Sequence, residues 1–272
     1  MLDIRLLTLM RVVVVAFVAI APARAADRPV DLELILAADI SRSMDLTEAS
    51  LQREGYAHAI RHPAVVDAIR AGAYGRIALM YMEWAGADVQ RTLVPWTEVS
   101  DQAGADAVAQ TILNAGLGVA RRTSISTALL SAAARFDGNG YAGRRRIIDV
   151  SGDGPNNSGP RVNDARDRVI AMGITINGLP IISARPNPSG YPDLKELDRY
   201  YKDCVIGGPG RFMVVAHGFQ DFARAIRRKL LLEIADFPPP VRLFHAASAR
   251  RSIPCDIGER QLRDWLRNFD EY

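Results

Sequence analysis

The chain has 272 residues, 49% of them hydrophobic and 24% charged, a balance that suits a folded globular protein with room for one domain and a sizeable core. Its formal net charge is +3, and Arg5, Arg11 and Arg24 against Asp3 place most of that in the first 25 residues. The near-neutral remainder lacks the basic footprint of a nucleic-acid-binding protein, and no stretch after residue 25 reads as a transmembrane helix.

Residues 1–25 read as an export signal. Arg5 and Arg11 flank the apolar run Val12 to Ile20, and Ala23-Arg24-Ala25 has the small-x-small pattern of a cleavage site. Cleavage after Ala25 would yield an exported, periplasmic or secreted, mature protein. From Val30 the residues alternate and then turn fully apolar (Leu32, Leu34, Ile35, Leu36), which predicts a buried parallel strand. The run ends in Asp39-Ile40-Ser41-Arg42-Ser43. Extended spacing puts Asp39, Ser41 and Ser43 on one side, so one carboxylate and two hydroxyls offer hard oxygen donors to a divalent cation.

Helices are expected over Asp45–Ile60 and from Pro63 to Ala71, then a strand over Arg76–Trp84 whose Glu83 reads as a solvated end. Val89–Val94 reads as an antiparallel edge strand with Pro95 just beyond it. Ser100–Ala115 is amphipathic and leads to the hydroxyl-rich turn at Thr123 and an alanine-rich helix over Ser126–Phe136. Ile147–Ser151 is a central strand running into Gly152-Asp153-Gly154; Asp149 inside it is expected to pair with one of Arg144 to Arg146 or a neighbouring loop. Asn156 and Asn157, beside that turn, are candidates for polar contact with a bound partner.

A helix over Val162–Met172, stopped by Gly173, precedes a strand over Ile174–Pro180 and a Pro- and Gly-rich loop over Ser183–Asp193. Leu194–Ile206 and the tight connection Gly207-Gly208-Pro209-Gly210 feed a final strand over Phe212–Val215, then a helix over Phe219–Ile234. Pro238 to Pro240 stiffen the exit, after which Leu262, Trp265, Leu266 and Phe269 recur at helical spacing behind an Asp256/Glu259 cap. This short helix is expected to fold back on the body. The two cysteines, Cys204 and Cys255, are expected to form a disulfide in an oxidising compartment.

Taken together, DISRS at Asp39, the Thr123 turn and the Asp153 turn resemble the metal-ion-dependent adhesion site (MIDAS) of von Willebrand factor A (vWA) domains. The resemblance implies Asp39, Ser41, Ser43, Thr123 and Asp153 as the metal set, with Ser124, Ser126 and Thr127 as competing hydroxyls. It implies a doubly wound α/β fold, a Rossmann-like three-layer sandwich with a mostly parallel sheet and one antiparallel edge strand. YY-x-x-x-VIGGPG and the helix running into RRKLLLEI are similar to an uncharacterised family of exported bacterial vWA-like proteins, over residues 29–236. Residues 237–272 read as a Pro-rich linker and a short amphipathic helix.

The function so implied is metal-dependent protein binding. A divalent cation, Mg²⁺ first with Mn²⁺ or Ca²⁺ as alternatives, would capture a Glu or Asp carboxylate of a protein or peptide partner. In related domains the last helix, here Phe219–Ile234, moves on ligand capture. The alternative is a metal-dependent hydrolase of phosphate or other esters using the same ion. Against catalysis, no Gly-x-Ser-x-Gly elbow is present, no second carboxylate follows two residues after Asp39, and His58, His62, His217 and His245 are scattered. A Rossmann nucleotide site is excluded because DISRS stands where the glycine-rich turn would be.

Overall fold

A computed structural model describes residues 26–185, 187–188, 190–235 and 252–270. The expected export signal at 1–25 and the proline run at 238–240 lie outside them. The chain opens with β1 (Arg28–Val30) and β2 (Glu33–Asp39), followed by α1 (Leu46–Ile60), α2 (Pro63–Arg70), β3 (Ile77–Trp84), β4 (Gln90–Val99), α3 (Gln102–Asn114) and α4 (Ile125–Ala133). The second half holds β5 (Tyr141–Gly143), β6 (Arg146–Gly152), α5 (Val162–Ala171), β7 (Thr175–Pro180), the short α6 (Leu197–Tyr200), α7 (Phe222–Ile234) and α8 (Ile257–Asp270).

Five strands form the central sheet in the order β4-β3-β2-β6-β7, parallel throughout except for β4 at the edge. Every residue of β2 is buried because helices cover both faces. Its alternating side chains separate: Leu34, Leu36 and Ala38 join the layer with Tyr56 of α1 and Phe222 of α7, while Ile35 and Ala37 join Leu129 of α4 and Val169 of α5. From β2 the chain crosses to β3 on one side and later returns to β6 on the other. A crevice therefore opens at the carboxyl ends of β2 and β6, where α/β sheets bind ligands.

Several elements differ from their sequence reading. The first strand breaks after Val30, because Asp31 turns aside and its carboxylate accepts from Tyr74 N at 3.0 Å; β1 pairs instead with β5 in a separate two-stranded sheet. β4 runs on through Pro95 to Val99. The register shifts there against β3, and a proline without an N–H is tolerated on an edge strand. Phe212–Val215 forms no strand: Met213 makes an isolated bridge to Gly178 of β7, the following Ala216 one to Ile181, and the Asn177 side chain takes Phe212 N at 3.0 Å. The segment Leu194–Ile206 holds α6 and a widened turn, Tyr201–Val205, closed by Ile206 N on Tyr201 O at 2.9 Å.

Two charged residues of the sheet also find other partners. Glu83 is fully buried and ion-paired with Arg53 at 2.7 Å; Arg53 also donates to Gly116 O at 2.9 Å, fixing the approach to the Thr123 turn. Asp149 meets none of Arg144 to Arg146. Its partner is the fully buried Lys229 of α7, at 2.7 Å, which also contacts Glu233 at 2.5 Å. Cys204 and Cys255 are disulfide-bonded, with Cα atoms 5.4 Å apart, and so fasten α8 to the body.

Candidate metal centre

Three loops meet at the carboxyl ends of β2 and β6. Asp39 is the last residue of β2 and fully buried, and its Oδ1 accepts from Ser41 N at 2.7 Å, folding the DISRS turn over the strand end. Ser41 and Ser43 hydroxyls lie 2.8 Å apart, and Ser43 donates to Asp153 Oδ1 at 2.5 Å. Gly152 ends β6 with no room for a side chain: an added Cβ would sit 2.9 Å from both Asp39 Oδ2 and the Tyr201 hydroxyl. That absence of a side chain lets the β6 loop close on Asp39.

The Thr123 loop is tied to both neighbours. Ala120 N donates to Ile40 O at 2.9 Å, Ser124 N to Ala85 O at 2.7 Å, and Asn157 N to Thr123 O at 2.8 Å, while Thr123 N donates to Asn157 Oδ1 at 2.9 Å. Arg122, in the left-handed region at φ 70, reverses the backbone just before Thr123. The Thr123 hydroxyl lies 3.9 Å from the position a Cβ on Gly154 would take, so it looks onto the Asp153 turn. The competing hydroxyls are engaged elsewhere: Ser124 caps α4 and bonds Thr127 Oγ1 at 2.8 Å, and Ser126 lies fully buried 3.3 Å from the Ser124 hydroxyl. The structure thus brings Asp39, Ser41, Ser43, Thr123 and Asp153 to one rim.

Neither carboxylate of the rim forms an ion pair among the described residues. Burial, and then the neighbouring Asp153, push the Asp39 carboxyl well above the usual carboxylate range. Asp153 is pushed up to about 7 by burial and by Glu48, against the pull of the Ser43 hydrogen bond. Asp39 Oδ2 is buried with no hydrogen-bond partner among the described residues. Among those residues no three or more His, Cys, Asp or Glu side chains gather as a metal-ligating group, so any cation here depends on hydroxyl oxygens as well as the two carboxylates.

The two asparagines part company. Asn157 lines the open side of the rim beside Thr123. Asn156 is fully buried, and its amide is committed to Ser126 N at 3.0 Å and to Glu259 of α8 at 2.8 Å; it therefore holds α4 and α8 in place and cannot contact a partner directly. Tyr201 and Glu259 stand against the site without a sequence signal for that role. The tyrosine had a signal only in its place within YY-x-x-x-VIGGPG, and Glu259 read simply as a helix cap.

A family profile described as "Protein of unknown function (DUF1194)" matches residues 29–238. No curated protein matches the chain. Among solved structures, proximal thread matrix protein 1 from the mussel byssus aligns with a TM-score of 0.56 at 14% identity, over 78% of this chain and 50% of that one. A form of the same protein described as having a zinc-occupied MIDAS motif aligns with a TM-score of 0.52. The pilus adhesin SpaC from Lactobacillus rhamnosus GG gives 0.55 at 11% identity, over 78% and 32% of the two chains. A von Willebrand factor type A protein from Catenulispora acidiphila gives 0.52 at 15% identity, over 76% and 43%. This chain spans half or less of each of these proteins, and the likeness lies in the fold. The match over residues 29–238 makes the chain a member of the DUF1194 family of proteins of unknown function, and its fold is vWA-like.

Proposed function

We propose that the protein is an exported, divalent-cation-dependent binding module that captures an acidic side chain of a protein or peptide partner. The observation that carries this reading is the Ser41–Ser43–Asp153 hydroxyl and carboxylate chain beside the unpartnered buried Oδ2 of Asp39. Two close carboxyls, Asp39 fully buried and Asp153 partly so, form no ion pair among the described residues; such an arrangement is costly, and a bound cation relieves it. Asp39, Ser41, Ser43, Thr123 and Asp153 would hold that cation. An all-oxygen donor set suits Mg²⁺ or Mn²⁺ better than a softer ion. When bound, the ion supplies a positive centre with room for one more carboxylate oxygen. The mussel protein's zinc-occupied MIDAS and the adhesin role in SpaC's description support the same reading by analogy of fold.

Export is supported by the Cys204–Cys255 disulfide, which persists in an oxidising compartment, together with the leader-like residues 1–25. No helix among the described residues is long and apolar enough to cross a membrane. We infer binding rather than turnover, because the carboxylate neighbour Glu48 is engaged in the capping box of α1 with Asp45. Titration calorimetry with Mg²⁺ on wild type and Asp39→Ala tests the site; equal heats from both would overturn it. Mg²⁺-dependent hydrolysis of p-nitrophenyl phosphate, lost in Asp39→Ala, would replace binding with catalysis. Mass spectrometry of a periplasmic fraction should find a mature chain beginning at Ala26.

A further inference from the structure

The first turn of α8 is fastened to the metal-site face. Gly258 packs so closely that an added Cβ would lie 2.1 Å from Asn156 O, and the Tyr191 hydroxyl donates to Gly258 O at 2.9 Å. Beyond that turn, Leu262, Trp265 and Leu266 make one helical stripe that joins neither core layer, and Leu266 remains 39% exposed. The stripe forms one wall of a trough of about 400 Å³. Thr123, Arg42, Arg121 and Arg122 line the same trough. All three arginines are exposed, and among the described residues none of them pairs with a carboxylate.

We propose that this trough is the recognition surface, and that it takes an acidic peptide segment carrying apolar side chains. The segment's carboxylates meet the arginines and its apolar groups lie on Leu262, Trp265 and Leu266. The proposal rests on the rim being a binding face, and adds to it the helical wall and the two-part chemistry of the partner. Charge disfavours the chain's own segment 236–251 as occupant, since Arg242, Arg250 and Arg251 outweigh Asp236 and would face like charges. A lipid surface is disfavoured by shape: the apolar stripe and the arginines line a concavity, whereas a bilayer needs them on an outward face.

The test uses the disulfide-bonded full mature chain and a phage-displayed random dodecapeptide library, panned in Mg²⁺ and again in EDTA. Selected peptides should be enriched in Asp and Glu together with Leu, Phe or Trp. Their affinity, read by fluorescence anisotropy, should fall at least about tenfold for Arg42→Glu/Arg121→Glu and for Leu262→Ser/Leu266→Ser. Replacing the apolar residues of the selected peptide by serine repeats the second comparison without altering the protein. Enrichment of acidic residues alone, unaffected by the α8 substitutions, overturns the trough and leaves the metal reading standing. Loss on apolar replacement with no effect of EDTA keeps the trough and overturns the metal reading. Absence of any enrichment, or capture by phosphatidylglycerol vesicles in place of peptide, overturns the trough.

Discussion

Asp39 and Asp153 are two neighbouring acids with no basic partner among the described residues, and their chemistry sets the pH behaviour of the rim. A proton on either carboxyl competes with a cation. With Asp153 raised to about 7, and Asp39 raised in the same direction, Mg²⁺ affinity should climb as pH rises through about 7 and protons should be released on binding. Calorimetry in buffers of different ionisation enthalpy would detect that release; affinity flat across the neutral range contradicts it. Gly152 makes the second test at this scale. In Gly152→Ala the new Cβ meets Asp39 Oδ2 and the Tyr201 hydroxyl at 2.9 Å, so we expect a stability loss of about 1–3 kcal/mol and weaker Mg²⁺ binding. Unchanged denaturant midpoint and cation affinity would show that the loop has slack.

At the scale of elements, α7 is held to the sheet by charge as well as by apolar packing. Lys229 lies between Asp149 of β6 and Glu233, and Asn177 of β7 donates to Glu233 at 2.8 Å. Lys229→Met would leave both buried carboxylates without their cation, a loss of about 3–5 kcal/mol. Burial already pushes Asp149 up to about 7 against the pull of Lys229. Without the lysine its carboxyl rises further, so the deficit should be largest above pH 7 and shrink as the carboxyls take up protons. Urea unfolding of wild type and variant at alkaline and acidic pH measures this; a deficit that grows towards acid reverses the sign. Arg145 adds a donor to Glu233 O at 2.7 Å, near the end of α7. A helix pinned in this way would break buried ion pairs if it slid, so amide exchange along α7 should be unchanged by Mg²⁺.

For the whole molecule, the disulfide joins a surface helix to a body that already has its own two core layers. Cys204→Ser/Cys255→Ser opens a link across 51 residues, and the expected cost is about 2–4 kcal/mol, chiefly through a less constrained unfolded chain. Amide exchange should accelerate along α8 first. Mg²⁺ affinity should hold, because all five residues of the proposed set lie in the body, Asp39 at the end of β2 and the other four in its loops. A collapse of cation binding in this variant would mean that α8 supports the site directly.

Local pattern was enough to read the strand into DISRS, the alternation of strands and helices and the antiparallel edge, because each depends on residue spacing within one segment. The meeting of Asp39, Thr123 and Asp153 was legible only through the resemblance of three short motifs; their hydrogen bonds span up to 110 residues. Tertiary packing alone decided that Asp149 takes Lys229, that Glu83 takes Arg53, that Asn156 is buried under α8, and that Phe212–Val215 falls short of a strand. The reason is common to all four: a buried polar group is satisfied by whichever partner the folded chain brings within about 3 Å, and sequence distance carries no information about that.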